Sequence, residues 1–233
     1  MLNDTYLIKY KFCFDDGNTK EYEIAIDLKT ISSIHPRPPC RPDWTKLERN
    51  QCSCCLLTKK ESPYCPISVD IAELVDEFKD TYSYENCHVC CVTQERSYQK
   101  KTSIQEGLSS ILGIIMATSH CPIMYLFKPM ARFHLPFATV EETLLRTTSI
   151  YLLRQYFEYK KGNKADMNLE NLNEHYNKVR IVNNSLLERI NSFAEKDADK
   201  NAIITLHSLT QILNMQITDS LDSLEYLYNI ECR

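Results

Sequence analysis

The chain has 233 residues, 43% hydrophobic and 25% charged, with a net charge of −4. This is the composition of a globular protein of one large domain or two small ones, and it excludes disordered, collagen-like and strongly basic nucleic-acid-binding classes. Only four glycines occur, which disfavours a loop-rich barrel or a phosphate-cradling fold and favours helices.

In chain order, the first elements read as a hairpin. Tyr6, Ile8, Tyr10, Phe12 and Phe14 alternate with Leu7, Lys9, Lys11 and Cys13, and Asp15-Asp16-Gly17-Asn18 supplies turn chemistry before the alternation resumes over 21–26. Four prolines within 36–42 then forbid both helix and central strand. They predict an extended crossover into Trp44 and the stretch QCSCCLLTKKESPYCP, which holds Cys52, Cys54, Cys55 and Cys65. After Pro66, Asp70 and Glu73 suggest an N-cap pair for a helix with Ile71, Leu74, Val75 and Phe78 on one face. Residues 85–98 alternate again and predict one strand.

From Thr102 the chain is predicted to be helical. Ile104, Leu108, Ile111, Leu112 and Ile115 make a buried face that stops near Ser119. The connector 120–138 carries three prolines and cannot be one helix. Thr139 and Glu142 form a capping box for a helix with Leu145, Tyr151, Leu152, Tyr156 and Phe157, ending at Gly162. Leu169, Leu172, Tyr176, Val179, Asn183, Leu186, Ile190 and Phe193 recur at steps of three and four, as do Ile203, Leu206, Thr210, Leu213 and Ile217. The short turn at 197–199 predicts antiparallel packing of these two helices, and a last short helix follows from Leu221. The expected fold class is α+β. Residues 1–100 form a small antiparallel sheet with a Cys-rich loop at about 35–66, and 101–233 form a helical bundle that shares its core.

Residues 108–117 are the most apolar run, far short of the ~20 needed to span a bilayer, and the N-terminus has no apolar signal region. The expectation is a cytoplasmic protein with no membrane segment. Eleven cysteines in a reducing compartment read as metal ligands or small buried hydrophobes rather than disulfides. The paired lysines 59–60, 100–101 and 160–161 read as solvated surface, so nucleic acid is not an expected partner. A protein partner or a homodimer stays open.

Zinc takes four tetrahedral ligands, and a Cys-x-x-Cys turn supplies two with little strain. Cys52 and Cys55 fit, and Cys65 is a third. Cys121, in TSHCPIM, is the preferred fourth, with Cys40 or His35 as alternatives. Both Cys65 and Cys121 precede proline, a feature that iron–sulfur ligands also show, so a [4Fe–4S] cluster is the alternative cofactor. Cys87, Cys90 and Cys91 fall on a predicted strand, where one face cannot gather all three. A second constellation, in KPMARFHLPFATVEE, offers Arg132, His134 and Glu141 as candidate acid–base residues, against the plainer reading of an ion-pair network. No nucleophile elbow, phosphate loop, zincin or dinucleotide motif occurs.

In DWTKLERNQCSCC…YCP, in ERSYQKKTSIQEGLSSILGIIMATSHCP and in KPMARFHLPFATVEETLLRTTSIYLLRQYF, the chain resembles a bacterial protein family of unknown function. The matching positions include Trp44, Cys52, Cys55, Cys65, Cys121, Arg132 and His134. The resemblance implies that the four cysteines belong together, while Cys54, Cys87, Cys90 and Cys91 look peculiar to this chain. It implies no activity. The expected function is that of a metal-binding protein with a structural zinc, acting in binding or regulation. The alternative is an iron–sulfur redox enzyme or sensor with a polar site at His134 and Arg132.

Overall fold

A computed structural model describes residues 4–34, 41–191, 197–218 and 221–228. Strands β1 (Thr5–Phe14) and β2 (Thr19–Asp27) form the hairpin, and its turn uses Gly17 at φ +88°. The alternation does what period two requires. Tyr6, Ile8, Tyr10 and Phe12 are buried, together with Tyr22, Ile24 and Ile26 across the pair. On the other face, Lys9 stands opposite Glu23 and Lys11 opposite Glu21, with ion pairs of 2.8 and 2.7 Å.

Strand β3 (Ser32–Ser33) edges β2, β4 (Asn86–Val92) pairs with the far side of β1, and β5 (Ser97–Ser103) pairs with β4. All pairings are antiparallel, in the order β3-β2-β1-β4-β5. The single strand predicted over 85–98 is therefore two strands. The chain reverses at 93–96, where Thr93 N donates to Arg96 O and Arg96 N donates to the Thr93 hydroxyl. No Gly, Pro, Asn or Asp announces that turn, because a threonine side chain closes it. Thr102 accordingly lies in β5 rather than in a helix.

The first helical stretch also starts earlier than predicted. Helix α1 (Pro66–Asp70) opens on Pro66, whose fixed φ suits a first helical position, and Asp70 ends it instead of capping the next. Helix α2 (Ala72–Phe78) then buries Leu74, Val75 and Phe78. Helix α3 (Ile104–Thr118) lies on the buried sheet face, and Gly107 sets how close it comes. A Cβ there would stand 2.5 Å from Phe12 and 3.1 Å from Val89.

A 3₁₀ turn (Met124–Phe127) and α4 (Lys128–Arg132), with Pro129 in its first turn, make up the proline connector. Helix α5 (Val140–Lys160) begins at the capping box, with both bonds made, and stops at Gly162, φ +81°. Its buried face differs from expectation. Thr143, Leu144, Thr147, Thr148, Tyr151 and Gln155 point inward, while Tyr156 and Phe157 are half exposed. The threonines pack there because their hydroxyls bond the preceding turn, Thr143 to Thr139 O and Thr148 to Leu144 O.

Helices α6 (Glu170–Asn191) and α7 (Ala198–Thr218) pack antiparallel: Asn183 bonds Thr210, and Asn173 bonds Asn214 one end further on. Phe193 and the side chain of Leu206 lie outside the described residues. The last short element, Asp222–Tyr228, is 3₁₀ and buries Leu224. One continuous cluster joins the sheet, α2, α3 and the facing sides of α6 and α7, so sheet and helices share a core. A second cluster, around Leu144, Tyr151, Leu172 and Leu213, closes the far end. Among the described residues, no helix is long and apolar enough to cross a membrane.

Gly107→Ala should destabilise the protein by about 1–3 kcal/mol, because the added methyl meets Phe12 beneath the helix. Gly113→Ala on the same helix, whose Cβ meets nothing within 4 Å, should be neutral or stabilising by about 1 kcal/mol. Denaturant midpoints of the two variants measure the contrast; equal midpoints would remove close helix–sheet approach as the cause.

Candidate metal centre

The cysteine loop has almost no regular structure, so its backbone must find partners elsewhere. Part of the solution is local. Leu47 N donates to Pro63 O and Cys65 N to Thr45 O, clamping the two ends of the loop together. The Cys52–Cys55 turn closes with Cys55 N donating to Cys52 O at 2.9 Å. The rest comes from α6. Arg189, only 2% exposed, donates to the carbonyls of Trp44 (3.0 Å), Lys46 (2.7 Å) and Leu47 (2.9 Å). The planar guanidinium suits three acceptors held in an irregular turn.

Cys121 arrives from the other direction, just past the end of α3. Its N–H donates to the Ser119 hydroxyl, and its sulfur accepts backbone N–H groups from Ile123 and Met124. Cys52 receives a hydrogen bond from Ser185 of α6. Cys52, Cys55, Cys65 and Cys121 all line one small cavity of about 20 Å³, together with Pro122, Ile123, Val182, Leu186 and Arg189. That is room for a body the size of one water molecule.

The four thiols border this space without being closed upon its centre. Among the described residues, no three Cys, His, Asp or Glu side chains stand close enough to hold an ion as placed. Ligation therefore requires the thiols to move closer together than they stand. Burial pushes the Cys121 thiol up to about 12, against the two N–H donors, and the neighbouring Cys65 and Cys52 push the same way. Burial also raises Cys52, against Ser185.

The remaining cysteines go elsewhere. Cys54 points to α6 and donates to Lys178 O at 3.7 Å. Cys87 and Cys91 are buried on the core face of β4, where burial raises each to about 11, and Cys90 faces outward opposite Lys11. His35, Cys40 and Cys232 lie outside the described residues.

Arg132, His134 and Glu141 have three separate sets of partners. Arg132 stacks on the Tyr6 ring at 4.2 Å and lies 3.8 Å from Glu95. His134 Nε2 is 2.5 Å from the Tyr10 hydroxyl. Tyr6 and Tyr10 are four residues apart on one strand, roughly 13 Å, which separates the Arg from the His. Glu141, on the outer side of the first turn of α5, accepts from the Tyr226 hydroxyl at 2.5 Å. Lys128 is taken by Thr30 O and the Ser32 hydroxyl.

His134 instead borders a larger open cavity, about 700 Å³, between α3, the 124–138 connector, α5, α6 and α7. Burial first, then Arg146, lowers its pKa to about 3, and burial raises the Tyr10 phenol well above its ordinary value. Both groups are uncharged at neutral pH. His134 is half-buried and lines the cavity. Sequence reasoning passed over Arg189 and Ser185; each is a single polar residue in a helix whose pattern does not mark it as turned inward.

The family described as a domain of unknown function, DUF6901, matches residues 8–229. No curated protein and no solved structure matches the chain.

The histidine gives a pH expectation with a definite sign. Its folded pKa, about 3, lies below the unfolded value near 6.5, so between those limits the unfolded chain binds a proton that the folded chain does not. The stabilisation is complete above pH 6.5 and is lost as pH falls towards 3, by roughly 1 kcal/mol per pH unit. His134→Gln should flatten the acid limb of stability against pH by that slope. Parallel curves for the variant and the parent would show that the imidazole is not held neutral by burial.

Proposed function

We propose, since the chain belongs to the DUF6901 family and takes no activity from it, that this protein is a zinc-stabilised binding or regulatory protein. Cys52, Cys55, Cys65 and Cys121 hold one zinc, which fastens the irregular loop to the end of α3 and to α6. The observation that carries the reading is that four sulfurs, three from the loop and one from 56 positions beyond the last of them (121 less 65), line one enclosed space. A four-cysteine set is one that structural zinc takes. N–H donors to Cys121 and the Ser185 hydroxyl on Cys52 are the supports that orient and stabilise thiolates. The Arg189 guanidinium at the rim offsets part of the negative charge of four thiolates around a dication. A site of this kind contributes on the order of 10 kcal/mol to folding.

The second reading is a [4Fe–4S] cluster in a redox enzyme or sensor. Its eight core atoms need far more room than a 20 Å³ cavity offers, so the size of the site favours a single ion. The zinc reading goes with a reducing compartment, the cytoplasm, where the thiols stay available; the nine described cysteines are all free. A partner protein or a second copy would find its surface on the outer side of α5, where Leu153, Tyr156 and Phe157 are exposed.

Protein purified without added metal should be colourless and contain one zinc per chain by elemental analysis. Cys121→Ser should lower the zinc content and the melting temperature, while Cys54→Ser, outside the cavity, should change neither. Zinc should be released as pH falls, since protons compete for the thiolates. A folded, metal-free protein would sink the reading, and a brown protein with visible absorption would replace it with the cluster.

A further inference from the structure

The 700 Å³ cavity lies within the range of small-molecule sites and far above the voids that close-packed cores leave. Most of its wall is apolar, and three methionines, Met116, Met124 and Met130, give that wall adaptable shape. The polar groups are few. Glu106 is the acidic side chain among the described wall residues, and it is already engaged by Lys100 and the Thr102 hydroxyl. His134 is neutral, held against Tyr10.

Arg146 is different. One terminal nitrogen donates to Met130 O (3.3 Å) and Phe133 O (2.7 Å). A guanidinium carries five N–H donors, and the two other nitrogens have no bond among the described residues. Burial lowers its pKa against the Glu142 carboxylate one turn earlier, which is itself engaged at Thr139 N, so the charge is partly stripped of water and favours a further anion beside it. Deeper in the wall stands Asn183, 1% exposed. One end of its amide bonds Thr210 at 3.2 Å and the other has no partner. Whichever way that amide is turned, a buried polar atom is left over, and buried polar atoms without partners are rare.

We infer that this cavity binds an amphipathic carboxylate of the fatty-acid class, its carboxylate on Arg146 and its chain along the methionine-lined wall. The inference is independent of the zinc reading, since none of the four cysteines lines this cavity.

Gly113 provides the blocking variant. It lines the cavity, and a Cβ built on it meets nothing within 4 Å, so Gly113→Phe fills the space without a clash at its root. Calorimetric titration with dodecanoate and dodecan-1-ol, below their micellar limits, tests the inference. Dodecanoate should bind about tenfold tighter than the alcohol. Arg146→Gln should remove that difference, and Gly113→Phe should abolish binding of both while leaving zinc content and melting temperature as in the parent. The inference is overturned by no dodecanoate binding, by equal affinity for acid and alcohol in the parent, or by undiminished binding to folded Gly113→Phe protein.

Discussion

Three backbone carbonyls meeting one buried cation hold the cysteine loop in place. Residues 44–47 have only the end of a 3₁₀ turn (Asp43–Thr45) and one isolated bridge, Lys46 with Tyr64, and α6 delivers the Arg189 guanidinium to the oxygens of Trp44, Lys46 and Leu47. Without it, Trp44 and Leu47, both nearly inaccessible, would be packed against an arginine-free helix with open carbonyls inside the protein. Each such orphan acceptor costs about 1–3 kcal/mol. The same side chain forms part of the wall of the small sulfur-lined cavity. One residue thus both holds the loop and borders its cysteines.

The two cavities share a structural wall. Cys121, Pro122 and Ile123 border the small one, and Met124 and Phe127 border the large one. This short segment runs from the end of α3 into the 3₁₀ turn, and Phe127 packs edge-on against Tyr176 of α6. Anything that fixes the Cys121 sulfur therefore also fixes where the lining of the large cavity begins. An ion at the cysteines would be a rigid point behind a wall in which three methionines can adapt their shape.

Much of the outline was legible in the residues. Period-two alternation located β1 and β2, and the Thr139–Glu142 box located the start of α5, because both are short-range effects of backbone geometry. Other elements were misjudged for equally local reasons. The 93–96 turn closes with a threonine hydroxyl, and Pro66 starts a helix where Asp70 looked the better cap. The inner face of α5 is mostly threonine, so apolarity pointed to the wrong side, towards Tyr156 and Phe157.

The amino-acid sequence by itself determined the α+β class, the β1–β2 hairpin and most helices, because periodicity and capping act within a few residues. Only the tertiary structure decided that Cys121 meets the loop, that Arg132 and His134 part company, and that a large cavity opens beside Arg146. Those outcomes depend on how close packed elements come, and a void is set by the spacing of several helices at once. No single stretch of chain encodes that spacing.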